Sequence, residues 1–364
     1  MIRNQALVSD KPFTMSFSSL QDFQAQWSKH KNIEVRDKTL LDIVKTPRLS
    51  TQFYYLFPGY CDICKKETTF ILEQTWSTGT EGLGCSECHC NSRLRNIYDT
   101  IMKNYKKGNQ VYISEMVTPF YEKLKTEIPN LTGSEYLSPS IDSGSIVNGI
   151  LNEDSTNLSF KDNSFDLYIS NDVFEHVFDY KKAFSEAARV LKPKGKMIFH
   201  VPFNLGLTKT VIRAKKGRKG KIINILEPIY HGNPLSEEGS LCVQDFGWDL
   251  FDILRECGFK KSYALSKNNM YHGYLNVTSL VFIAEKKDIS VTDFNLFKHI
   301  SGSNYDFKKR IRNKLVFKEK GNTKLINQNK DIKIIRFLSK FIPKSIKNLL
   351  KDTITWAYNL YKHP

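Results

Sequence analysis

The sequence predicts an α/β chain: a doubly wound, mostly parallel sheet, preceded by a small Cys-rich metal module and followed by a basic helical tail. Three observations carry this. A strand–helix–strand pattern fills residues 152–203, two Cys-x2-Cys pairs lie upstream of it, and the positive charge gathers at one end of the chain.

The strand–helix–strand pattern comes first. Residues 165–170 (FDLYIS) form a short apolar run of aromatic and branched residues between polar turn residues, which is the pattern of a buried strand. Asp179 can cap the next helix by accepting hydrogen bonds from its free N–H groups. Ala183, Phe184, Ala187, Ala188 and Leu191 then recur at helical spacing, with Lys181, Lys182, Glu186 and Arg189 between them. Pro193 and Gly195 stop that helix, and residues 197–201 give the next apolar strand. Strands joined through a helix run parallel.

The other elements are placed around this unit. Residues 1–52 read as mostly helical, with Phe17, Leu20, Phe23 and Trp27 at helical spacing. A helix over 95–106 ends at Gly108-Asn109, and a first strand follows at 111–114. Pro119 opens the first crossover helix, and a second strand begins at Leu131. Residues 204–229 are a polar, basic insert; a helix over 249–257 stops at Gly258; and a strand at 279–284 closes the sheet. The division is therefore 1–52 (helical segment), 53–95 (metal module), 96–287 (α/β domain) and 288–364 (tail).

The net charge of +16 on 364 residues is uneven. From Lys286 onward nineteen Lys/Arg stand against six Asp/Glu, so residues 286–364 hold +13 of it. The first residues, MIRNQALVSDK, contain no apolar signal core, and no run approaches the ~20 apolar residues of a membrane span. A cytoplasmic protein is expected. In the tail, Ile346, Leu349, Leu350, Ala357, Leu360 and Tyr361 line one helical face and Lys344, Lys347 and Lys351 the other. Such a basic amphipathic stretch fits a peripheral contact with the inner membrane face, and equally a helix packed on its own domain or on a second subunit. Nucleic acid ranks lower, because the tail lacks a clustered set of base-stacking residues.

Four of the seven cysteines are Cys61, Cys64, Cys85 and Cys88, two pairs twenty residues apart. Two such knuckles let four thiolates converge on one tetrahedral Zn²⁺, with no open position for catalysis. His89 and Cys90 are alternative ligands; Cys242 and Cys257 read as packed residues. The module acts either as a docking element or as a folding staple for a segment too small to hold itself.

The order FDLYISNDV, EHV, RVLKPKG resembles the region after the cofactor loop in class I S-adenosylmethionine (SAM) methyltransferases. YHGNP at 230–234 and DFGWDLFDILRECGF at 245–259 are similar to one bacterial subgroup with a preceding Cys-rich segment, and the resemblance spans roughly 53–285. It implies a Rossmann-like sheet with SAM across the carboxyl ends of its strands. Glu135 would then accept the ribose hydroxyls, Asp154 would contact the adenine amino group, and Asn171 and Asp172 would lie near the methionine and its methyl group. The family has an acidic residue and a Gly-rich loop after its first strand. Here residues 111–124 contain no glycine, and Glu115 stands in for the acid. Either the pocket is built differently or SAM binding is weakened or lost.

Methyl transfer needs the acceptor positioned in line with the methyl group, and a hydroxyl acceptor gains from a base. His176 and His231 are the candidates; Glu175 reads as structural and His200 as a packed strand residue. The expected function is O-methylation of a saccharide or lipid-linked glycan. The alternatives are an rRNA or tRNA methyltransferase, and a non-catalytic binding protein on the same fold. A homo-oligomer is compatible with the tail.

Overall fold

The computed structural model describes residues 13–30, 54–73, 83–274 and 280–288. The tail helices expected beyond residue 288 lie outside the described residues.

The N-terminal segment departs from its sequence pattern. Phe13–Phe17 is a strand (β1), with Met15 and Phe17 turned inward; the helix α1 starts only at Leu20 and runs to Trp27. Phe17 thus belongs to a period of two rather than 3.6, because Ser18-Ser19 breaks the chain and the Ser19 hydroxyl accepts from the Asp22 N–H at 3.1 Å. β1 adds to the main sheet instead of forming a separate helical segment.

The Cys-rich module is a hairpin of β2 (Tyr54–Cys61) and β3 (Lys66–Glu73), completed by the short β4 (Gly84–Cys85). Helix α2 (Ser92–Asn104) follows it, three residues earlier than its apolar pattern suggests, because the Asn91 side chain caps the Leu94 N–H.

The α/β domain then runs β5 (Val111–Ile113), α3 (Pro119–Glu127) and β6 (Leu131–Gly133). Thr118 caps α3 and Pro119 sits in its first turn, where no N–H is needed. A small hairpin, β7 (Ile146–Val147) and β8 (Ile150–Leu151), leads to β9 (Phe165–Asn171), α4 (Tyr180–Val190, capped by Asp179) and β10 (Leu191–His200). Gly195 marks a bulge in β10: a Cβ there would lie 2.8 Å from the Lys192 carbonyl oxygen.

The basic insert and the segment after it fold into short antiparallel pairs: β11 (Val211–Ile212), β12 (Ala214–Lys216), β13 (Ile222–Asn224), β14 (Tyr230–Asn233), β15 (Ser236–Leu241) and β16 (Gln244–Asp245). Helix α5 (Leu250–Glu256) and strands β17 (Phe259–Asn268) and β18 (Val281–Lys286) complete the domain.

The seven-stranded sheet has the order β1-β17-β18-β10-β9-β5-β6. β6, β5, β9 and β10 are mutually parallel, and β18 runs against them. β17 points with the parallel set and β1 against it. Side chains alternate between two buried cores. Tyr112, Tyr168, Phe199 and Phe282 face α1, α4 and α5; Val111, Ile169, Ile198 and Ile283 face α2, α3 and the Cys-rich module. This is a Rossmann-like, doubly wound sheet covered on both faces. The crossover from β5 goes to β6 on one side while β9 lies on the other. The switch point therefore falls between β5 and β9, and a crevice opens at their carboxyl ends.

Candidate active site

Glu115 follows β5 and Asn171 ends β9, and the two meet across the switch point. The Asn171 Nδ2 donates to Glu115 Oε1 at 2.6 Å, and the Thr118 hydroxyl donates to Glu115 Oε2 at 2.6 Å. Burial pushes the Glu115 carboxyl up, against the pull of these two donors.

Glu135 lies beyond β6. Its Oε1 accepts the N–H groups of Met116 and Val117, at 2.7 and 3.0 Å. A carboxylate thus holds the turn that in the resembled family is rich in glycine. The missing glycine is found on the neighbouring strand. A Cβ on Gly133 would lie 2.4 Å from the Tyr121 ring and 2.8 Å from the Glu115 carbonyl oxygen. Gly133 lets the bulky turn settle onto β6. Gly133→Ala is expected to destabilise the protein by about 1–3 kcal/mol, the usual range for overpacking. Urea unfolding of the variant beside the wild type checks it; equal midpoints would show that the turn rearranges freely.

A bridge between Glu135 and Asn152 brings Asp154 beside Glu135. Asp154 Oδ1 accepts from the Thr156 N–H and hydroxyl, both at 2.7 Å, so this carboxylate shapes its own turn.

Asp172 sits one residue past β9 with φ of 49°, a left-handed conformation that Asp tolerates better than most residues. Its Oδ2 pairs with Arg93 at 2.6 Å and its Oδ1 with His200 Nδ1 at 2.6 Å. Burial opposes ionisation, but His200 and Arg93 outweigh it and hold the carboxyl well below the usual range. His200 is packed on its strand, as expected, and also pairs with a carboxylate at the strand ends. It is legible only in hindsight, as a polar residue at the carboxyl end of a strand. Arg93, at the start of α2, gave no local signal.

The next turn, Phe174–His176, carries Glu175 and His176. His176 Nδ1 lies 2.8 Å from the Leu241 carbonyl, and His231 comes in from β14 with its ring centroid 5.3 Å from that of His176. Between them stands Glu175, fully buried, with its carboxyl pushed up to about 7 by burial. Burial pulls His176 down, while Glu175 raises His231. The structure thus brings the two histidines together around Glu175. Asp245 pairs with Arg213 at 2.6 Å and adds to the rise of His231.

The four cysteine sulfurs also converge. Cys61 and Cys88 Sγ are 3.8 Å apart, and Cys64 and Cys85 Sγ 3.9 Å. A tetrahedral Zn²⁺ with Zn–S of about 2.3 Å needs edges of about 3.8 Å, so the donor set fits that ion. His89 and Cys90 lie outside the group.

Residues 111–199 match the family model of a methyltransferase domain. These residues hold β5 to β10, so the methyltransferase domain matched is the parallel half of the sheet described above. No curated protein matches the chain. Solved structures resemble it loosely. A SAM-dependent methyltransferase from Thermotoga maritima is 18% identical, covering 54% of this chain and 89% of that one, with a TM-score of 0.32. An S-adenosylmethionine-dependent methyltransferase from Mesorhizobium loti is 13% identical over 52% of this chain and 97% of that one, with a TM-score of 0.34. The 1,6-didemethyltoxoflavin-N1-methyltransferase of Burkholderia thailandensis, with bound 1,6-didemethyltoxoflavin and S-adenosylhomocysteine, is 13% identical over 54% of this chain and 79% of that one, with a TM-score of 0.33.

Proposed function

We propose that the chain transfers the methyl group of SAM to a hydroxyl of a saccharide or lipid-linked glycan, with a structural Zn²⁺ held by Cys61, Cys64, Cys85 and Cys88. The observation that carries the cofactor reading is the row of acidic and amide groups along the carboxyl ends of β6, β5 and β9. Glu135 Oε2 reaches a ribose hydroxyl while Oε1 holds the turn. Tyr136, half exposed and close to Asp154, offers a ring face to adenine. Asn171 and Asp172 take the methionine end. The sulfonium and ammonium of SAM are cationic, and the carboxylates of Glu115 and Asp172 suit them.

The acceptor reading rests on the insert. Ile222, Ile223, Ile225, Leu226, Ile229 and Tyr230 are exposed there, among Lys215, Lys216 and Lys221. Exposed aliphatic groups beside lysines fit a lipid-linked acceptor at an anionic surface better than an RNA backbone, which asks for cations and stacking rings. Among the described residues no helix is long and apolar enough to cross a membrane. Contact with the membrane through the tail is part of this proposal.

Calorimetry with SAM and S-adenosylhomocysteine tests the cofactor reading. The wild type is expected to bind, and Glu135→Ala to weaken binding by at least tenfold, about 1.4 kcal/mol. No binding by the wild type would sink the enzymatic reading. Binding unchanged in Glu135→Ala would remove that residue from the pocket.

A further inference from the structure

Apart from the four cysteines, one group among the described residues gathers metal-ligating atoms. Glu175, His176 and His231 each offer one such atom, and all lie within 4.8 Å of one another. Three segments build the group: the turn after β9 carries Glu175 and His176, β14 carries His231, and the chain just after β15 holds the turn by its backbone. There the Val243 N–H donates to the Glu175 carbonyl at 2.8 Å.

The orientation of the ligand atoms is fixed. His176 Nδ1 faces the Leu241 carbonyl at 2.8 Å, and a carbonyl only accepts. Nδ1 therefore carries the proton, and Nε2 keeps its lone pair, 3.7 Å from Glu175 Oε1. A backbone carbonyl setting the tautomer in this way is the usual support of a metal-binding histidine. His231 Nδ1 lies 3.5 Å from the same carboxylate oxygen.

Glu175 supplies the second, independent observation. Its side chain is 0% exposed, yet neither carboxylate oxygen receives a hydrogen bond. The two imidazole nitrogens, at 3.7 and 3.5 Å, are too long or too poorly aligned to count as hydrogen bonds. A buried carboxylate without donors is costly, and such groups are normally paired or bound to a metal.

We propose that Glu175, His176 and His231 form a second metal site, for a divalent transition cation of the Zn²⁺ type. Two imidazoles and one carboxylate suit such an ion, whereas Mg²⁺ and Ca²⁺ prefer all-oxygen shells. With metal–ligand bonds of about 2.0–2.2 Å, tetrahedral ligand atoms stand about 3.3–3.6 Å apart. The separations of 3.5 and 3.7 Å between the imidazole nitrogens and the carboxylate oxygen are close to that. Three protein ligands leave a fourth position open, as in catalytic rather than structural sites.

This site deepens the proposed function and rests on it for its role. The turn begins three residues after Asn171, at the end of β9 assigned to the methyl group. An acceptor hydroxyl in the open position releases its proton to solvent more readily. Its oxygen then bonds to the methyl carbon as the C–S bond breaks, and that electron pair stays on sulfur, leaving S-adenosylhomocysteine. The two histidines act as ligands here and not as general bases.

The test is metal counting on the full chain, and it does not need the acceptor. Protein equilibrated with Zn²⁺ and freed of excess is measured by elemental analysis. Cobalt-loaded protein is read by absorption, since thiolate sites show charge-transfer bands that nitrogen and oxygen sites lack. The wild type is expected to hold two ions, one of them without thiolate bands. Glu175→Gln and His231→Gln are each expected to lose that ion and keep the thiolate-bound one. His231 is partly exposed on a short strand, so its variant serves even where Glu175→Gln misfolds. A wild type with no ion beyond the thiolate-bound one, or a count unchanged in the His231 variant, overturns the proposal. SAM calorimetry on the same samples separates the two readings. A second ion in a protein that does not bind SAM leaves this site standing and the methyl-transfer reading fallen.

Discussion

With Zn²⁺ on Cys61, Cys64, Cys85 and Cys88 as proposed, its removal should unfold the β2–β4 ribbon and weaken cofactor binding at the distant crevice. The ribbon's own core is small, chiefly Ile63, Phe70, Leu83 and Cys90. Without a cation the sulfurs resist ionising together. Cys88 and burial hold Cys61 well above the usual thiol range, and burial pushes Cys64 up to about 11. A structural zinc typically supplies about 10–16 kcal/mol of binding energy that is also folding energy. Its loss reaches the active site through α2. Arg95 is fully buried, donates to the carbonyls of Leu83, Cys90 and Gly273 at 2.7, 2.6 and 2.9 Å, and lies 4.3 Å over the Phe70 ring. Two residues earlier on the same helix is Arg93, the partner of Asp172. Loss of the ribbon removes two of the three carbonyls that seat Arg95 and frees the start of α2. Hydrogen exchange after chelation should show residues 54–73 and 83–91 exchanging fast while β9 and β10 stay protected, with SAM affinity down at least tenfold. Retained protection in the ribbon would mean that its own core suffices.

What was legible in the sequence follows from where its signals agree. From β9 through α4 to β10, the apolar runs, the Asp179 cap and the stop signal at Pro193 and Gly195 all point to one structure, and that structure forms. The N-terminal strand was missed because Phe17, Leu20 and Phe23 satisfy a helical period by accident; the alternation in Phe13–Phe17 is buried only once β17 lies beside it. The strands of the insert are short and mostly exposed, so they carry no strong alternation to read. The candidate site shows the same division. Residues at strand ends could be picked out one by one, since the fold assigns ligands to those ends. Their partners could not. Arg93 reaches Asp172 across nearly eighty residues, His231 reaches Glu175 from another hairpin, and Gly133 matters only because Glu115 and Tyr121 sit on it. Glu175 looked structural because burial of a carboxylate is a tertiary fact with no sequence period.

Asp172→Asn should cost about 2 kcal/mol, below the usual 3–5 for breaking one side of a fully buried ion pair, because the Asp172 side chain is 26% exposed. The substitution is well suited to the question. Asn tolerates the left-handed backbone at this position as Asp does, so the backbone is not what changes. The shape also stays, and only the charge goes. Arg93, 14% exposed, and His200, 5% exposed, then lose the carboxylate that both address. The pH dependence gives a second readout with a definite sign. The native carboxyl ionises well below the usual value of 3.8, so the folded state resists taking up the proton that the unfolded chain accepts. This contribution is fully present above about pH 4 and is lost as pH falls below it. Wild-type stability should therefore drop more steeply than that of Asp172→Asn between about pH 4 and pH 2, and the two curves should converge there. Urea midpoints across that range measure it. Parallel curves would show that Asp172 ionises normally and that the Arg93–Asp172–His200 contact contributes little. A loss of stability without any loss of SAM affinity would place Asp172 in the frame of the crevice rather than against the cofactor.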